Sequence, residues 1–197
     1  MRPSFLHRSA SRQHSFCGLH RVGGDERPGP VHAVSLGLVS TWPEPVQRVA
    51  AFLNASGAEI RVEEFSTGTP TAEAAAEAIG CALADIVKSL AFEGGGRSSL
   101  VLVPGDRRAD SAKVAAALGV AKVRVATPER VRELTGFEPG AVAPFLADVD
   151  AVLLERRLLL RDAVWVGAGS PAHMARLAPA ELARLSGATA LDLVADP

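Results

Sequence analysis

The stretch that decides the fold is Thr71–Phe92, TAEAAAEAIGCALADIVKSLAF. Its first half is built to be a helix. Thr71 is a suitable N-cap, Glu73 falls in the first turn, the alanine-rich run Ala72–Ile79 has high helix propensity, and Gly80 stops it. A short turn around Ala84 and Asp85 then leads into an apolar strand, Ile86–Phe92, with Lys88 set inside it. The chain has only three lysines against eighteen arginines, so a lysine in this place is out of keeping with the composition. Burying an ammonium is costly unless something pairs with it, so such a lysine belongs at a strand end or beside a cleft. Two readings stand at this point: a side chain snorkelling from a strand start, or a residue of a binding site.

Working outward toward the C-terminus, Gly94-Gly95-Gly96 joins the Lys88 strand to Ser99–Val103 as a hairpin. Pro104-Gly105-Asp106 makes a turn, and Asp110 or Ser111 caps a helix that runs through Leu118 to Gly119. Lys122–Ala126 is a short strand. Thr127 and Pro128 open a further helix, which stops at Gly136. Phe137–Phe145, FEPGAVAPF, is a loop. Ala151–Leu154 is a strand followed by a turn over Glu155–Arg157. Ala163–Val166 is another strand, with His173–Leu177 its hairpin partner across Gly167-Ala168-Gly169-Ser170-Pro171. Pro179–Leu185 is a last helix and Ala190–Val194 a last strand.

Toward the N-terminus, Ile60–Phe65 alternates as a strand with Ile60, Val62 and Glu64 on one face. Before it, Pro43–Ser56 places Val46, Val49, Ala50 and Leu53 at helical spacing. Helices and strands interleave, yet several strands are joined by hairpins rather than long crossovers. The expected fold is therefore α/β of the α+β kind, a mixed and largely antiparallel sheet with packed helices.

At 197 residues and 48% hydrophobic content the chain suffices for one domain with a sizeable core. No apolar run approaches the roughly 18 residues of a membrane span. Two cysteines, Cys17 and Cys81, make no disulfide framework, so a reducing, cytoplasmic setting is expected. The net charge of −1 conceals an asymmetry. Residues 1–40 carry five arginines against Asp25 and Glu26, whereas residues 41–197 carry sixteen basic and twenty acidic side chains, a balance of −4. That body is poorly suited to non-specific duplex DNA, which needs a broad cationic face. With no tyrosine it also lacks the usual base-stacking platform, although a single-stranded nucleic-acid end still fits a local pocket. Residues 1–40 hold four of the five histidines and little apolar periodicity. They read as a disordered tail, or as an extension from a start codon assigned too far upstream, with the folded domain over 41–197.

The usual catalytic constellations are scarce. Residues 41–197 contain one histidine and one cysteine, far short of a soft-ligand metal site. Cys81 has no histidine beside it and reads as a small buried hydrophobe. A hydrolase triad would have to use Ser170 and His173, but no GxSxG elbow is present and Ser170 lies between strands. Gly167 and Gly169 are followed by no long helix, so they are not a dinucleotide fingerprint. They serve either a tight hairpin or close approach of backbone to a ligand.

Taken in order, the segments Thr71–Gly80, Ile86–Phe92, Val101-Leu-Val-Pro-Gly-Asp-Arg107, Gly136-Phe-Glu-Pro-Gly140-Ala-Val-Ala-Pro-Phe145 and Val164-Trp-Val-Gly-Ala-Gly-Ser170 resemble the YbaK/EbsC/ProX family. That family comprises the editing domain of prolyl-tRNA synthetase and its free-standing homologues. The likeness runs from about Pro45 to the C-terminus. It implies a barrel-like mixed sheet and hydrolysis of the ester that joins a wrong amino acid to tRNA, most often tRNA for proline. The expected substrate is the acceptor end of aminoacyl-tRNA, with no cofactor or metal. Since the sequence shows no synthetase modules, action in trans is expected, and the −4 body is expected to borrow tRNA affinity from prolyl-tRNA synthetase or an elongation factor.

By the same resemblance the site lysine falls on Lys88, the small polar neighbour on Ser89 and the loop glycine on Gly140. Lys88 and Gly140 are the residues expected to carry catalysis. Phe65, Ser89, Ala143, Gly167, Gly169 and His173 are expected around the substrate, with Ile79 as a further wall. An aminoacyl ester is already activated, so positioning water and stabilising an oxyanion suffice. Two departures bear on activity: Ala143 stands where the family usually has serine, and Leu146 where glycine often follows. Loss of that hydroxyl is what makes a second class of function credible, a catalytically silent tRNA- or protein-binding module. Generic ester hydrolysis would need a nucleophile that the sequence does not offer.

A chain beginning near Val39 is expected to keep the melting temperature and activity of the full chain. A large loss of either would show that residues 1–40 belong to the folded unit.

Overall fold

The computed structural model describes residues 41–57, 60–66, 68–69 and 71–195; the expected N-terminal extension lies outside them. Helix α1 (Glu44–Ala55) buries Val46, Val49, Ala50 and Leu53, the four residues at helical spacing. Strand β1 (Arg61–Glu64) follows, then helix α2 (Ala72–Ile79). Thr71 caps α2, its hydroxyl accepting from the Ala74 N–H at 3.1 Å, and Gly80 ends it in the left-handed conformation. A 3-10 turn over Leu83–Asp85 leads to β2 (Val87–Gly94) and its hairpin partner β3 (Arg97–Pro104).

Asp110 caps α3 (Ser111–Leu118), β4 is the two-residue strand Arg124–Val125, and Thr127 caps α4 (Pro128–Thr135). Strand β5 (Ala151–Glu155) runs into a 3-10 helix, Arg156–Leu160, longer than the turn the sequence suggests. Strands β6 (Val164–Gly167) and β7 (His173–Leu177) precede α5 (Pro179–Ser186) and β8 (Thr189–Leu191). The last strand is shorter than expected, and Val194 makes an isolated bridge to Ala109 instead.

The strands form two open sheets, ordered β1-β7-β6 and β4-β2-β3-β5-β8. The barrel-like closure expected from the family likeness is not made. β4 pairs with β2 at Phe92 and Glu93, and among the described residues the bridge between the two sheets is the parallel one from Ile86, just before β2, to Trp165. Antiparallel pairing dominates, as expected, while β3–β5 and β5–β8 are parallel. Both edges of the large sheet are very short strands, which limits pairing with other chains.

Alternation along the strands sorts side chains into three packed regions. The main core fills the space between the sheets and takes Val87, Ala91, Leu100, Leu102 and Leu154 from one and Val164, Val166, Ala175 and Leu177 from the other, with α1 and Leu182 of α5. Helix α3 covers the opposite face of the large sheet, packing Val114 and Leu118 on Phe92, Val101 and Val103. Helix α2 covers the outer face of the small sheet, packing Ala75 and Ala76 with Phe65, Ile86, Trp165 and Met174. No helix among the described residues is long and apolar enough to cross a membrane.

Glu155 is the fully buried carboxylate that ties the C-terminal segment to this frame. It accepts from the Leu193 N–H at 2.6 Å and the Arg157 N–H at 3.2 Å. Replacing it strands the buried Leu193 N–H without a partner, so Glu155→Ala is expected to lower the unfolding free energy by about 1–3 kcal/mol in urea titration. An unchanged midpoint would show that the tie contributes nothing.

Candidate active site

The N-terminal end of α2, the start of β2, the loop after α4 and the facing ends of β6 and β7 enclose a cavity of about 340 Å³. Its walls are Thr69, Thr71, Ala72, Glu73 and Ala75, then Ile86–Leu90, then Gly140, Val142, Gly167 and Met174. The position follows from the fold, because this is where the small sheet's bridge from Trp165 to Ile86 brings the two sheets together.

Lys88 lies opposite Val103 in the β2–β3 ladder and Ser89 opposite Leu102, so the two side chains leave the strand on opposite faces. The Lys88 ammonium donates to the Gly105 carbonyl at 2.9 Å and to the Arg107 carbonyl, both in the turn after β3. An ammonium has three N–H donors, so one is left for a ligand. Burial pulls the Lys88 pKa below the ordinary lysine range; the carboxylates of Glu73 and Asp106 oppose this and Arg108 adds to it. The half-buried charge is thus held by carbonyl dipoles rather than by a direct carboxylate partner. Gly105 makes this possible, since a Cβ there would lie 2.5 Å from the Leu83 carbonyl oxygen. The snorkelling alternative does not describe this side chain, whose head is fixed to backbone.

Four of the residues singled out in the sequence meet at the cavity: Lys88, Ser89, Gly140 and Gly167. Ser89 Oγ is buried with no hydrogen-bond partner. Gly140 has φ of +85°, a conformation that suits glycine and presents bare backbone to the cavity. A Cβ on Gly167 would lie 2.8 Å from the Val142 carbonyl oxygen, so β6 and the Gly140–Val142 loop approach closely only because that atom is missing.

The other four stand behind or beside the cavity. Phe65 is buried edge-on against Trp165 at 6.1 Å, in the cluster that supports Met174, and Ile79 packs on the same cluster. Ala143 is fully buried in the main core and is not among the lining residues. Gly169 has φ of +96° and no room for a Cβ, which would lie 2.8 Å from the backbone of Pro45; its N–H donates to the Ala141 carbonyl at 3.0 Å and braces the loop.

His173 points to the opposite face of β7 from Met174, and Met174 is the one that lines the cavity. The His173 ring meets Trp42 edge-on at 5.3 Å. Its Nδ1 shares a 2.7 Å hydrogen bond with Ser170 Oγ, and Ser170 Oγ accepts from the Ala172 N–H, so the pair closes the β6–β7 turn. Nε2 is buried without a hydrogen bond, 3.8 Å from a Glu64 carboxylate oxygen. Burial lowers the His173 pKa, with Glu64 opposing.

Sequence reasoning missed Thr69, Glu73, Val142 and Met174 as lining residues. Glu73 carried a signal, its first-turn position beside the cap of α2, but that signal has a sufficient explanation in helix stability. Met174 could have been found from strand alternation once His173 was placed.

This cavity sits in an established domain type. A model of the aminoacyl-tRNA editing domain matches residues 67–185, and the chain belongs to that family. A Bacillus subtilis protein of uncharacterised function, YwhH, is 39% identical over 127 residues, covering 64% of this chain and 80% of that protein. The multifunctional Ser/Thr-tRNA deacylase ProXp-y of Escherichia coli K12 is 33% identical over 103 residues, 50% of this chain and 61% of the deacylase. The proline–tRNA ligase of Desulfitobacterium hafniense is 44% identical over 78 residues, which are 39% of this chain and only 14% of the ligase. Among solved structures, a candidate trans-editing enzyme for prolyl tRNA synthetase superposes with a TM-score of 0.73 at 38% identity, covering 79% of this chain and 99% of that one.

The lowered pKa of His173 fixes the sign of a pH effect. The unfolded chain takes up its proton near pH 6.5 while the folded ring resists it, so stability is full above that value and is lost as pH falls. The melting temperature should fall between about pH 7 and about pH 5, and His173→Phe should make that fall shallower whatever it does to the absolute value. An identical slope in the variant would place the acid sensitivity elsewhere.

Proposed function

We propose that the protein is a trans-acting aminoacyl-tRNA deacylase, hydrolysing the ester between a mischarged small amino acid and the terminal adenosine of tRNA, with tRNA for proline the expected carrier. The observation that carries this reading is the cavity itself: in an editing-family domain, a small space joins an anchored Lys88 to the bare backbone at Gly140. The names of ProXp-y and of the solved relative point the same way.

The reaction needs little from side chains. Water attacks the ester carbonyl, the carbonyl oxygen gathers negative charge, and the adenosine hydroxyl leaves with a proton. The backbone near Gly140 can approach the carbonyl closely because no Cβ intervenes. Lys88, with one N–H still to give, can hold a phosphate or ribose oxygen of the terminal adenosine or steady the developing oxyanion. Among the described residues no cysteine or histidine lines the cavity, which suits attack by bound water rather than by an enzyme nucleophile. Ala72 and Ala75 leave room for a small side chain and limit a larger one. A cytoplasmic protein that meets tRNA through a synthetase or elongation factor fits this role.

The test is hydrolysis of tRNA for proline charged with Cys, Ala, Ser or Thr, by wild type and Lys88→Ala. Wild type is expected to clear one or two of these, and the variant to lose about a hundredfold or more in kcat/KM. A folded wild type that binds tRNA but hydrolyses none would overturn the proposal and favour a binding module of the same fold.

A further inference from the structure

Resting on the deacylase reading, we propose that Glu73 recognises the free α-ammonium group of the substrate, making the site selective for aminoacyl esters over the same esters N-acylated. An aminoacyl ester brings two features to any pocket that hydrolyses it. Its carbonyl oxygen becomes negative during attack, and the neighbouring α-amine titrates at about pH 8, so that it is largely cationic at neutral pH. A cavity that binds this group needs a negative charge on one wall and positive or N–H character on another.

Glu73 is the one carboxylate among the lining residues; the others are neutral apart from Lys88. It is exposed and, among the described residues, has no ion pair or hydrogen bond from its side chain. Its charge is felt at Lys88 across the cavity, yet the two do not close into a salt bridge. Opposite charges therefore flank one space without neutralising each other directly. The other carboxylate felt at Lys88, Asp106, sits in the turn after β3 and does not line the cavity.

Helix stability accounts for a carboxylate in the first turn but not for which position of that turn carries it. Thr71 already caps α2, and a carboxylate anywhere in the first turn would serve the helix dipole equally well. The third residue of the motif instead carries its charge to the cavity wall. A carboxylate–ammonium contact is a charge-assisted hydrogen bond and is lost when the amine becomes an amide. The predicted discrimination is chemical, between a cation and a neutral group, and is independent of side-chain size.

The experiment uses whichever charged tRNA the wild type hydrolyses, free and N-acetylated on the amino acid. Wild type, Glu73→Gln and Glu73→Asp are compared, each rate divided by the uncatalysed rate of the same ester. Wild type should prefer the free aminoacyl ester by about tenfold or more. Glu73→Gln should lose most of that preference through a raised KM on the free ester, with little change on the acetylated one. Glu73→Asp should keep part of it. On the free ester, wild-type kcat/KM should decline as the amine deprotonates above about pH 8, and the Gln variant should not show this limb.

An unchanged preference in Glu73→Gln, or an equal loss on both esters, overturns the inference; the second result would make Glu73 a base or a structural residue. Equal rates on the two esters by wild type overturn it as well. A wild type inactive on every charged tRNA removes the deacylase reading first, and this inference with it.

Discussion

A half-buried ammonium has to be solvated by something, and around Lys88 that duty falls on two backbone carbonyls, Gly105 and Arg107. Much of the local architecture serves this one requirement. The turn after β3 has to bend back over the start of β2, which needs a glycine where Leu83 passes close to residue 105. The hairpin β2–β3 has to hold its register, since Lys88 opposite Val103 is what sets the side chain beside that turn. Carbonyl dipoles stabilise the charge without neutralising it, so the positive field persists at the cavity wall. A carboxylate in direct contact would have made a tighter pair and a less useful one.

The same cavity depends on atoms that are missing. Gly140 and Gly167 line it, and at Gly167 a methyl group would collide with the loop that supplies Gly140 and Val142. Gly169 performs a parallel service one layer back, where the turn after β6 meets the start of α1. The site is therefore assembled from loops pressed together, with close packing replacing the reach of long side chains. Such a site suits a reaction whose bond is already reactive and whose main demand is orientation.

Local signals made most elements legible. Caps at Thr71, Asp110 and Thr127 and stops at Gly80, Gly119 and Gly136 mark their helices in the sequence as they do in the fold. The division into two open sheets was not legible, because it depends on pairings between strands far apart in the chain, which local signals do not carry. At the site, resemblance supplied Lys88, Ser89 and Gly140, the glycine-rich turn after β6 pointed to Gly167, and the cavity gathers all four. His173, Ala143, Gly169 and Phe65 lie near in sequence or space but face elsewhere, since a strand's alternation or a loop's curl sends neighbours in opposite directions. Glu73 shows the converse: a residue with a complete local explanation also borders the site, and nothing in a single sequence separates the two roles.

The parallel pairing of β5 with β8 has a consequence for how the chain is made. Between these two partners lie β6, β7 and α5, so the large sheet receives its last strand only after most of the small sheet has been synthesised. Until then β5 presents an unpaired edge, the kind of surface on which nascent chains misassociate. Met174 and Gly167 emerge in the same late interval, so the cavity lacks two of its walls for as long as that edge is open. On the ribosome, vulnerability to aggregation and inability to bind substrate are therefore coincident in time, and both end once β8 has emerged.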